Sequence, residues 1–352
     1  MQQDSIKKSR EKIVSRRNCL KLMGAFGLGL AAPTIIAKPA EGKLLDKLHS
    51  ISRTRPLMGT IVTITIADSS RDKAEKNVEK AFAKMTELEK IFNRHADNTP
   101  VSRLNQKGFL KDISPELADV LHQSAFYNYI SKGTFDITVL PVLELYKKSY
   151  ESTGSSPSLK QINEKMELVN FENIKINNKE GVRLLKDGMQ ISLDGIAKGY
   201  IIDQAANLIK LNGIKYALIN AGGDVRVIGG NGPNKAWKIG IKDPLEKREV
   251  TELFELNNGA VATSGNYENY FDKDKIHHHI IDTSTGDSPV QTISATVLAP
   301  TVMQADALST SLFIHNPKDG INLAGSLSNI EALIIAKGGT KYRSSGWNNL
   351  TK

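Results

Sequence analysis

The sequence predicts an α+β protein in which mixed or antiparallel sheets pack against helices. Short segments rich in β-branched residues follow one another across glycine-containing turns, which is typical of antiparallel hairpins. Among them lie three or four segments with apolar residues at helical spacing. The composition, 40% hydrophobic and 24% charged over 352 residues, is ordinary for a globular protein. It excludes collagen-like, coiled-coil and wholly disordered chains.

The first 40 residues are predicted to form a twin-arginine-type signal peptide, and residues 50–345 the folded domain. A basic stretch leads to Arg16 and Arg17, and an apolar, glycine-rich run over 22–37 follows. This run contains Pro33 and is too short to cross a bilayer comfortably, because a spanning helix needs about 20 residues. We therefore expect export to the periplasm by a receptor-read signal. An uncleaved N-terminal anchor is the alternative.

The basic charge is concentrated in the N-terminal segment. The formal net charge of the chain is +9, and residues 1–38 contribute +6 of it. The remaining +3 is too little for a surface that binds a phosphate backbone, so no nucleic-acid partner is expected. Cys19 is the only cysteine, and the exported protein is therefore expected to have neither disulfides nor thiolate metal ligands.

The N-terminal half is predicted to contain one strand and three helices after a polar lead-in at 41–53. Alternating β-branched residues predict a strand at 61–66. Apolar residues at helical spacing predict an amphipathic helix over 72–92. Pro115, in the first turn, predicts a helix over 114–131, and a further helix is predicted near 143–148. The connecting loops are predicted at 98–100 and 152–158.

The C-terminal half alternates strands with two more helices, predicted over 196–212 and 305–313. The chain shows no internal repeat. β-branched and apolar runs predict strands at 174–176, 182–185, 190–193, 216–220, 225–228, 237–242, 261–263, 294–298 and 330–336.

The segment DGIAKGY at 194–200 comes directly after a predicted strand and opens a helix. Glycine allows a backbone to approach a ligand closely, and a helix N-terminus favours an anion. Lys198 adds a full positive charge for a phosphate. The segment matches neither the P-loop nor the dinucleotide-binding glycine pattern. It is equally compatible with a tight strand–helix turn, and the glycines of NAGGD at 220–224 with a hairpin turn.

Asp306 and Thr310 are four residues apart on a predicted helix, so their oxygens share one face. A carboxylate, a hydroxyl and nearby backbone carbonyls are hard oxygen ligands of the kind that suit Mg²⁺. The alternative is an N-cap aspartate with a solvent-facing threonine.

Three consecutive histidines occupy positions 277–279. In a strand, only His277 and His279 share a face. Because the chain has no H-E-x-x-H motif and no cysteine beyond Cys19, a zinc site is not expected. A single histidine beside an oxygen-bound cation is a suitable general base. A structural histidine is the alternative.

Taken in order, these pieces resemble one family, the ApbE-type flavin transferases, or FAD:protein FMN transferases. Each block is weak alone, but together they span roughly residues 55–315. The matching blocks are MGT (58–60), EKIF (89–92) with SRLN (102–105), GTFDITV (133–139) with Pro141, DGIAKGY (194–200) with Asp203, NAGGD (220–224), ATSGNY (262–267), HIID (279–282) with Thr285 and Gly286, and ADALST (305–310).

The resemblance implies a T-fold-related α+β fold and a Mg²⁺-dependent transfer of FMN from FAD to a threonine or serine hydroxyl of a partner protein, with release of AMP. It makes His279 the catalytic base. It assigns the metal to the backbone carbonyl of Gly195 and to Asp306, Ser309 and Thr310. The positions that line the FAD pocket are Met58, His95, Thr134, Phe135, Asp136, Lys198 and Ile280, together with Ser192, which stands where many relatives carry a carboxylate.

The expected partners are FAD and a flavin-accepting protein, either a subunit of a membrane redox pump or a periplasmic FMN-binding reductase. Such acceptors place the reaction near the inner membrane. Two other functions remain open from the sequence. One is a Mg²⁺-dependent FAD pyrophosphatase that uses water in place of the hydroxyl, and the other is a non-catalytic periplasmic FAD-binding protein.

Overall fold

Eight antiparallel strands form the central sheet of the computed structural model, which describes residues 48–177 and 179–350. Their order across the sheet is β1-β2-β6-β7-β10-β11-β12-β13, and each neighbouring pair runs antiparallel. The strands are β1 (His49–Leu57), β2 (Thr60–Asp68), β6 (Tyr216–Ala221), β7 (Asp224–Ile228), β10 (Gly259–Gly265), β11 (Thr292–Ala299), β12 (Glu331–Ala336) and β13 (Lys341–Arg343).

Two smaller antiparallel sheets complete the β-structure of the described residues. One has the order β3-β5-β4, formed by Phe109–Leu110, Gly181–Leu184 and Ile174–Asn177. The other is a hairpin of β8 (Trp237–Lys242) and β9 (Val250–Leu256). The helices are α1 (Arg71–Phe92), α2 (Pro100–Lys107), α3 (Pro115–Ile130), α4 (Leu140–Thr153), α5 (Leu159–Met166), α6 (Ala197–Leu211), α7 (Val302–Ile314) and α8 (Pro317–Gly325).

Alternation along the strands gives the central sheet two buried faces. Ile64 and Ile219 point into a large core with helices α1, α6 and α7. Leu218 and Val225 point to the opposite face, where the β8–β9 hairpin and Trp347 cover them. This arrangement follows from the period of two in a strand, which sends successive side chains to opposite faces.

Local signals explain where several of these elements begin and turn. Ser70 caps α1 by accepting a hydrogen bond from the backbone N–H of Lys73 at 3.2 Å, which satisfies one of the free donors of the first turn. Between β1 and β2, Met58 and Gly59 both have positive φ angles, 54° and 69°. This is the geometry of a two-residue hairpin turn, and glycine adopts it without steric cost.

The α+β class with antiparallel sheets is confirmed, and most predicted elements occur within a few residues of their expected bounds. The strand predicted at 190–193 is wrong. There the side-chain amide of Asn105 takes the place of a neighbouring strand: the backbone N–H of Ile191 donates to Asn105 Oδ1 at 2.7 Å. Asn105 Nδ2 in turn donates to the carbonyl of Ile191 at 2.9 Å. Both polar groups of the Ile191 backbone are thus satisfied without a β-ladder.

Several elements have no counterpart in the sequence-based prediction. Strand β1 begins within the polar lead-in. Ile51 is its one buried residue, so the strand carries almost no apolar alternation. The short helices α2, α5 and α8, and the strands β3, β9 and β13, were also missed. Elements of this kind bury few apolar side chains of their own, and periodicity alone therefore gives little signal.

The twin-arginine signal predicted for residues 1–40 lies outside the described residues. Within the described part of the chain, none of the helices combines the length and apolar character that a bilayer crossing requires.

Candidate active site

Two helices that pack directly on each other supply most of the candidate site. Asp203, on α6, accepts hydrogen bonds from the first backbone N–H groups of α7, those of Val302 at 3.1 Å and Met303 at 2.9 Å. A Cβ at Gly199 would lie only 2.5 Å from the Cα of Met303, so glycine is required for this close approach. The position of α7, and hence of Asp306 and Thr310, is fixed relative to the turn that precedes α6.

The glycine turn before α6 meets the face of α7 that carries Thr310. A Cβ at Gly195 would lie 3.1 Å from Thr310 Oγ1 and 3.4 Å from Cε2 of Phe135. The hydroxyls of this region converge: Ser264 Oγ lies 2.8 Å from Ser309 Oγ and 3.4 Å from Thr310 Oγ1. The fold therefore brings together Gly195, Ser309 and Thr310, which come from segments more than 100 residues apart in sequence.

Asp306 is buried in the interior of α7. Its alternative assignment as an N-cap is wrong, because Thr301 caps the helix by accepting from the backbone N–H of Gln304. Asp306 Oδ2 has no hydrogen-bond partner among the residues that the structure describes. A buried carboxylate oxygen without a partner is costly unless a cation or hydrogen-bond donor satisfies it.

The oxygen atoms of this site suit Mg²⁺, which prefers oxygen ligands and keeps several of its water molecules. One helix carries three hard oxygen ligands: the unpartnered oxygen of Asp306 and the hydroxyls of Ser309 and Thr310. Gly195 lies beside Thr310. The described residues contain no cluster of three or more His, Cys, Asp or Glu side chains that could hold a metal ion. A metal here would therefore depend on a single carboxylate, hydroxyl groups and backbone oxygen.

Lys198 is a cation that acts on Asp306. Its Nζ lies 2.9 Å from Asp224 Oδ2, and it also interacts with Asp306 and Glu268. Burial opposes the charged form of Lys198, but these three carboxyl groups together raise its pKa above the ordinary value. The ammonium group therefore stays charged at neutral pH.

All three of those carboxyl groups have raised pKa values. Burial raises the pKa of Asp224, although Lys198 opposes this shift. Burial, reinforced by Asp224, raises the pKa of Asp306 to about 8. Burial likewise raises the pKa of Glu268 to about 8, and its Oε1 has no hydrogen-bond partner within the described residues. At neutral pH the carboxyl groups of Asp306 and Glu268 are therefore largely protonated when no cation is bound, and a divalent cation bound here would replace their protons.

His279 has the geometry of a general base. Its Nδ1 lies 2.9 Å from the carbonyl oxygen of Asn269, and because a carbonyl only accepts, Nδ1 carries the proton and Nε2 is left with a free lone pair. Burial lowers the pKa of His279, while Asp194 and Lys198 act on it in opposite directions. The imidazole is therefore neutral at neutral pH and close to the charged groups of the glycine turn.

The other two histidines have structural partners. His278 is buried, with Nε2 3.2 Å from the carbonyl of Pro289, and burial lowers its pKa to about 4. His277 Nδ1 lies 2.8 Å from the hydroxyl of Tyr150. The three histidines therefore have different surroundings, and His278 is a structural histidine.

The predicted FAD-pocket residues are spread over several segments of the chain. The backbone N–H of Met58 donates to Glu89 Oε1 at 2.9 Å. His95 is exposed as a whole residue, but its ring is partly buried. This partial burial and the charge of Arg94 lower the pKa of His95, whereas Asp194 raises it. Arg94 Nη2 lies 3.0 Å from Asp194 Oδ2, which joins the loop of His95 to the glycine turn.

Four further predicted pocket residues make contacts that shape the surrounding backbone. Thr134 Oγ1 lies 2.9 Å from Ser311 Oγ on α7. Asp136 Oδ1 accepts hydrogen bonds from the backbone N–H and the hydroxyl of Thr138, and its Oδ2 accepts one from the backbone N–H of Phe171. Ser192 Oγ accepts from the backbone N–H of Asp194 at 3.2 Å. Ile280 is buried in the main core.

Sequence reasoning did not identify Asp224 and Glu268 as site residues, although both lie in or beside matched blocks. Asp224 ends NAGGD, whose glycines are equally compatible with a hairpin turn, and Glu268 directly follows ATSGNY. The signal that was available is the presence of a carboxylate immediately after a glycine-rich or small-residue segment.

Comparison with known proteins identifies the family. The family model of the ApbE family matches residues 58–334. A curated FAD:protein FMN transferase of Haemophilus influenzae is 32% identical over 86% of this chain and 92% of its own length. The one from Vibrio cholerae is 30% identical over 88% and 93%.

Solved structures give the same result. The crystal structure of the ApbE protein from Thermotoga maritima superimposes with a TM-score of 0.78 at 30% identity, covering 86% of this chain and all of that one. The flavin transferase ApbE from Vibrio cholerae gives a TM-score of 0.76 at 25% identity, covering 86% and 99%. The chain belongs to the ApbE family.

Proposed function

We propose that this protein transfers FMN from FAD to a threonine or serine hydroxyl of a partner protein, with Mg²⁺ held by Gly195, Asp306, Ser309 and Thr310. Its relatives are FAD:protein FMN transferases, and the site contains groups suited to each part of that reaction. The observation that carries the proposal is the free Nε2 of His279 close to Lys198 and Asp194.

The reaction needs a base because a threonine hydroxyl is a weak nucleophile. The acceptor oxygen bonds to the phosphorus on the FMN side of the diphosphate, the bond from that phosphorus to the bridging oxygen breaks, and AMP leaves. The hydroxyl proton passes to Nε2 of His279, which has the free lone pair, while the Asn269 carbonyl holds the ring by Nδ1.

The diphosphate of FAD also needs positive charge around it. Lys198 supplies a full charge beside the turn that contains Gly195, and the N-terminus of α6 adds a partial one. When bound, Mg²⁺ would neutralise phosphate oxygens and so favour departure of AMP. Asp306, Ser309, Thr310 and the backbone carbonyl of Gly195 would hold it.

The cellular setting is part of the same proposal. The twin-arginine-type sequence over residues 1–40 supports export to the periplasm. There the acceptor would be a flavin-carrying subunit of a membrane redox pump or a periplasmic FMN-binding reductase, close to the inner membrane.

Mass spectrometry of an acceptor protein tests the proposal. Purified protein, FAD, Mg²⁺ and a candidate acceptor are incubated, and the acceptor is expected to gain the mass of FMN less one water at a threonine or serine. Omission of Mg²⁺ is expected to prevent the gain. Free FMN and AMP without any adduct would instead identify a pyrophosphatase, and intact FAD under all conditions would identify a carrier.

A further inference from the structure

The base His279 lies at the end of a hairpin, residues 269–279, here called the His279 hairpin. We propose that Tyr150 and His277 are positioning residues, which fix this hairpin on helix α4 and thereby orient the imidazole of His279. The inference rests on the proposed function, because it assigns a role in the same reaction to residues outside the catalytic centre.

Backbone hydrogen bonds close the hairpin at its base. The carbonyl of Asn269 accepts from both the backbone N–H of His279, at 3.0 Å, and its ring Nδ1, at 2.9 Å. The backbone N–H of Phe271 donates to the carbonyl of His277 at 2.8 Å. The orientation of the base therefore depends on where the segment from Asn269 to Phe271 is held.

The tip of the hairpin is closed by a carboxylate. Asp272 accepts from the backbone N–H of Ile276 at 3.1 Å and from that of His277 at 2.5 Å. These bonds are local, and they do not attach the hairpin to the rest of the protein. Two of its apolar side chains are turned to solvent instead, since Tyr270 is 43% and Ile276 48% exposed.

Two attachments hold the hairpin. At one, the backbone N–H and carbonyl of the buried His278 form hydrogen bonds with the hydroxyl of Ser288 at 2.9 and 3.0 Å. The other is an aromatic cluster on α4. The ring of Phe271 stacks on Tyr146 and Tyr150, with centroid distances of 5.9 and 6.1 Å. The imidazole of His277 lies 5.5 Å from the Tyr146 ring and 5.8 Å from the Tyr150 ring. The hydroxyl of Tyr150 lies 2.8 Å from His277 Nδ1. Phe271 and His277, on opposite sides of the hairpin, are thus both held by one helix.

This cluster matters for catalysis because proton transfer depends on placement. If the α4 cluster were removed, the hairpin would be held mainly through His278, and its part with exposed apolar side chains would sample more positions. A displacement of about 1 Å at a reacting group can reduce a rate by about a hundredfold. Loss of the α4 cluster is therefore expected to lower kcat while FAD binding is preserved.

The test compares Tyr150→Phe and His277→Ala with the unmodified full-length protein, using FAD, Mg²⁺ and an acceptor protein. We expect kcat for FMN transfer to fall about tenfold, with KM for FAD and the melting temperature of Tyr150→Phe unchanged. His277→Asn, which keeps a polar atom near the position of Nδ1, is expected to recover part of the rate. Tyr342→Phe, a tyrosine of strand β13, is the matched control.

A spectroscopic readout separates positioning from a general loss of structure. In protein labelled with ¹⁵N-histidine, the unmodified His279 is expected to show one tautomer, protonated at Nδ1, and the two variants a mixture of tautomers. Unchanged kcat and an unchanged His279 tautomer in both variants would overturn the inference. Absence of FMN transfer by the unmodified protein would instead overturn the proposed function, so the two failures are distinguishable.

Discussion

Lys198 Nζ lies 2.9 Å from Asp224 Oδ2, and this ion pair joins helix α6 to strand β7 within the candidate active site. The Asp224 side chain is almost fully buried, with 3% of its surface exposed. Asp306 and Glu268 also act on Lys198. The ion pair therefore holds one ammonium group among three carboxyl groups, at the place where we expect the diphosphate of FAD.

Replacing Asp224 by asparagine should destabilise the fold and weaken FAD binding, because it removes one partner of a buried ion pair. We expect a loss of about 3 kcal/mol in the free energy of unfolding, measured by urea denaturation, and a higher KM for FAD. Glu79→Gln, which removes one partner of the exposed Arg55–Glu79 pair, should change the free energy of unfolding by about 0.5 kcal/mol or less. Equal effects of the two substitutions would contradict this assignment.

A methyl group at Gly195 should impair catalysis without unfolding the protein. The added Cβ would lie 3.1 Å from Thr310 Oγ1, so the threonine hydroxyl or the turn must shift. We expect Gly195→Ala to lower kcat/KM about tenfold and to raise the Mg²⁺ concentration needed for half-maximal rate.

Gly325→Ala is the matched control for that substitution, because no atom lies within 4 Å of the Cβ it adds. It should leave the rate and the Mg²⁺ titration unchanged. A Mg²⁺ titration of Gly195→Ala that coincides with that of Gly325→Ala would remove Gly195 from the proposed metal site.

His278 should make the stability of the protein depend on pH in the acidic range. Burial lowers its pKa to about 4 in the folded state, whereas the unfolded chain retains a value near 6.5. As pH falls from 6.5 to 4, the unfolded state gains a proton that the folded state excludes. The free energy of unfolding therefore has the full contribution of the neutral ring above pH 6.5. It decreases by about 3 kcal/mol at most as the pH falls from 6.5 to 4.

Urea denaturation at several pH values measures this contribution. We expect the decrease in unfolding free energy between pH 6.5 and 4 to be smaller in His278→Gln than in the unmodified protein. As a control, His122→Gln replaces an exposed histidine and should leave the decrease in unfolding free energy between pH 6.5 and 4 unchanged. If this decrease were as large in His278→Gln as in the unmodified protein, His278 would not be the titrating group.

Elements with strong local patterns were predictable from the sequence. The β-branched alternation of β2 and the apolar periodicity of α1 gave their positions within one or two residues. The segment at 190–193 has a similar apolar pattern but pairs with the side chain of Asn105. Local pattern does not distinguish a side-chain partner from a strand, so this error could not be avoided from sequence alone.

The site was predictable only where one segment carries the chemistry. The spacing of Asp306 and Thr310 on a helix was sufficient to propose oxygen ligands. In contrast, the roles of Asp224 and Glu268 depend on Lys198, which lies on another element, and the anchoring of His277 depends on Tyr150, 127 residues earlier. Contacts of this kind arise from tertiary packing and have no local signature.

Substitution of His279 by alanine tests the proposed mechanism most directly, because the mechanism uses Nε2 of this residue as the base. FMN transfer to an acceptor protein is measured by mass spectrometry, and FAD binding by flavin fluorescence, in the same samples. We expect the rate of transfer to fall by about 10²- to 10⁴-fold while FAD still binds. A His279→Ala variant that transfers FMN at the unmodified rate would contradict the assignment of the base and the mechanism built on it.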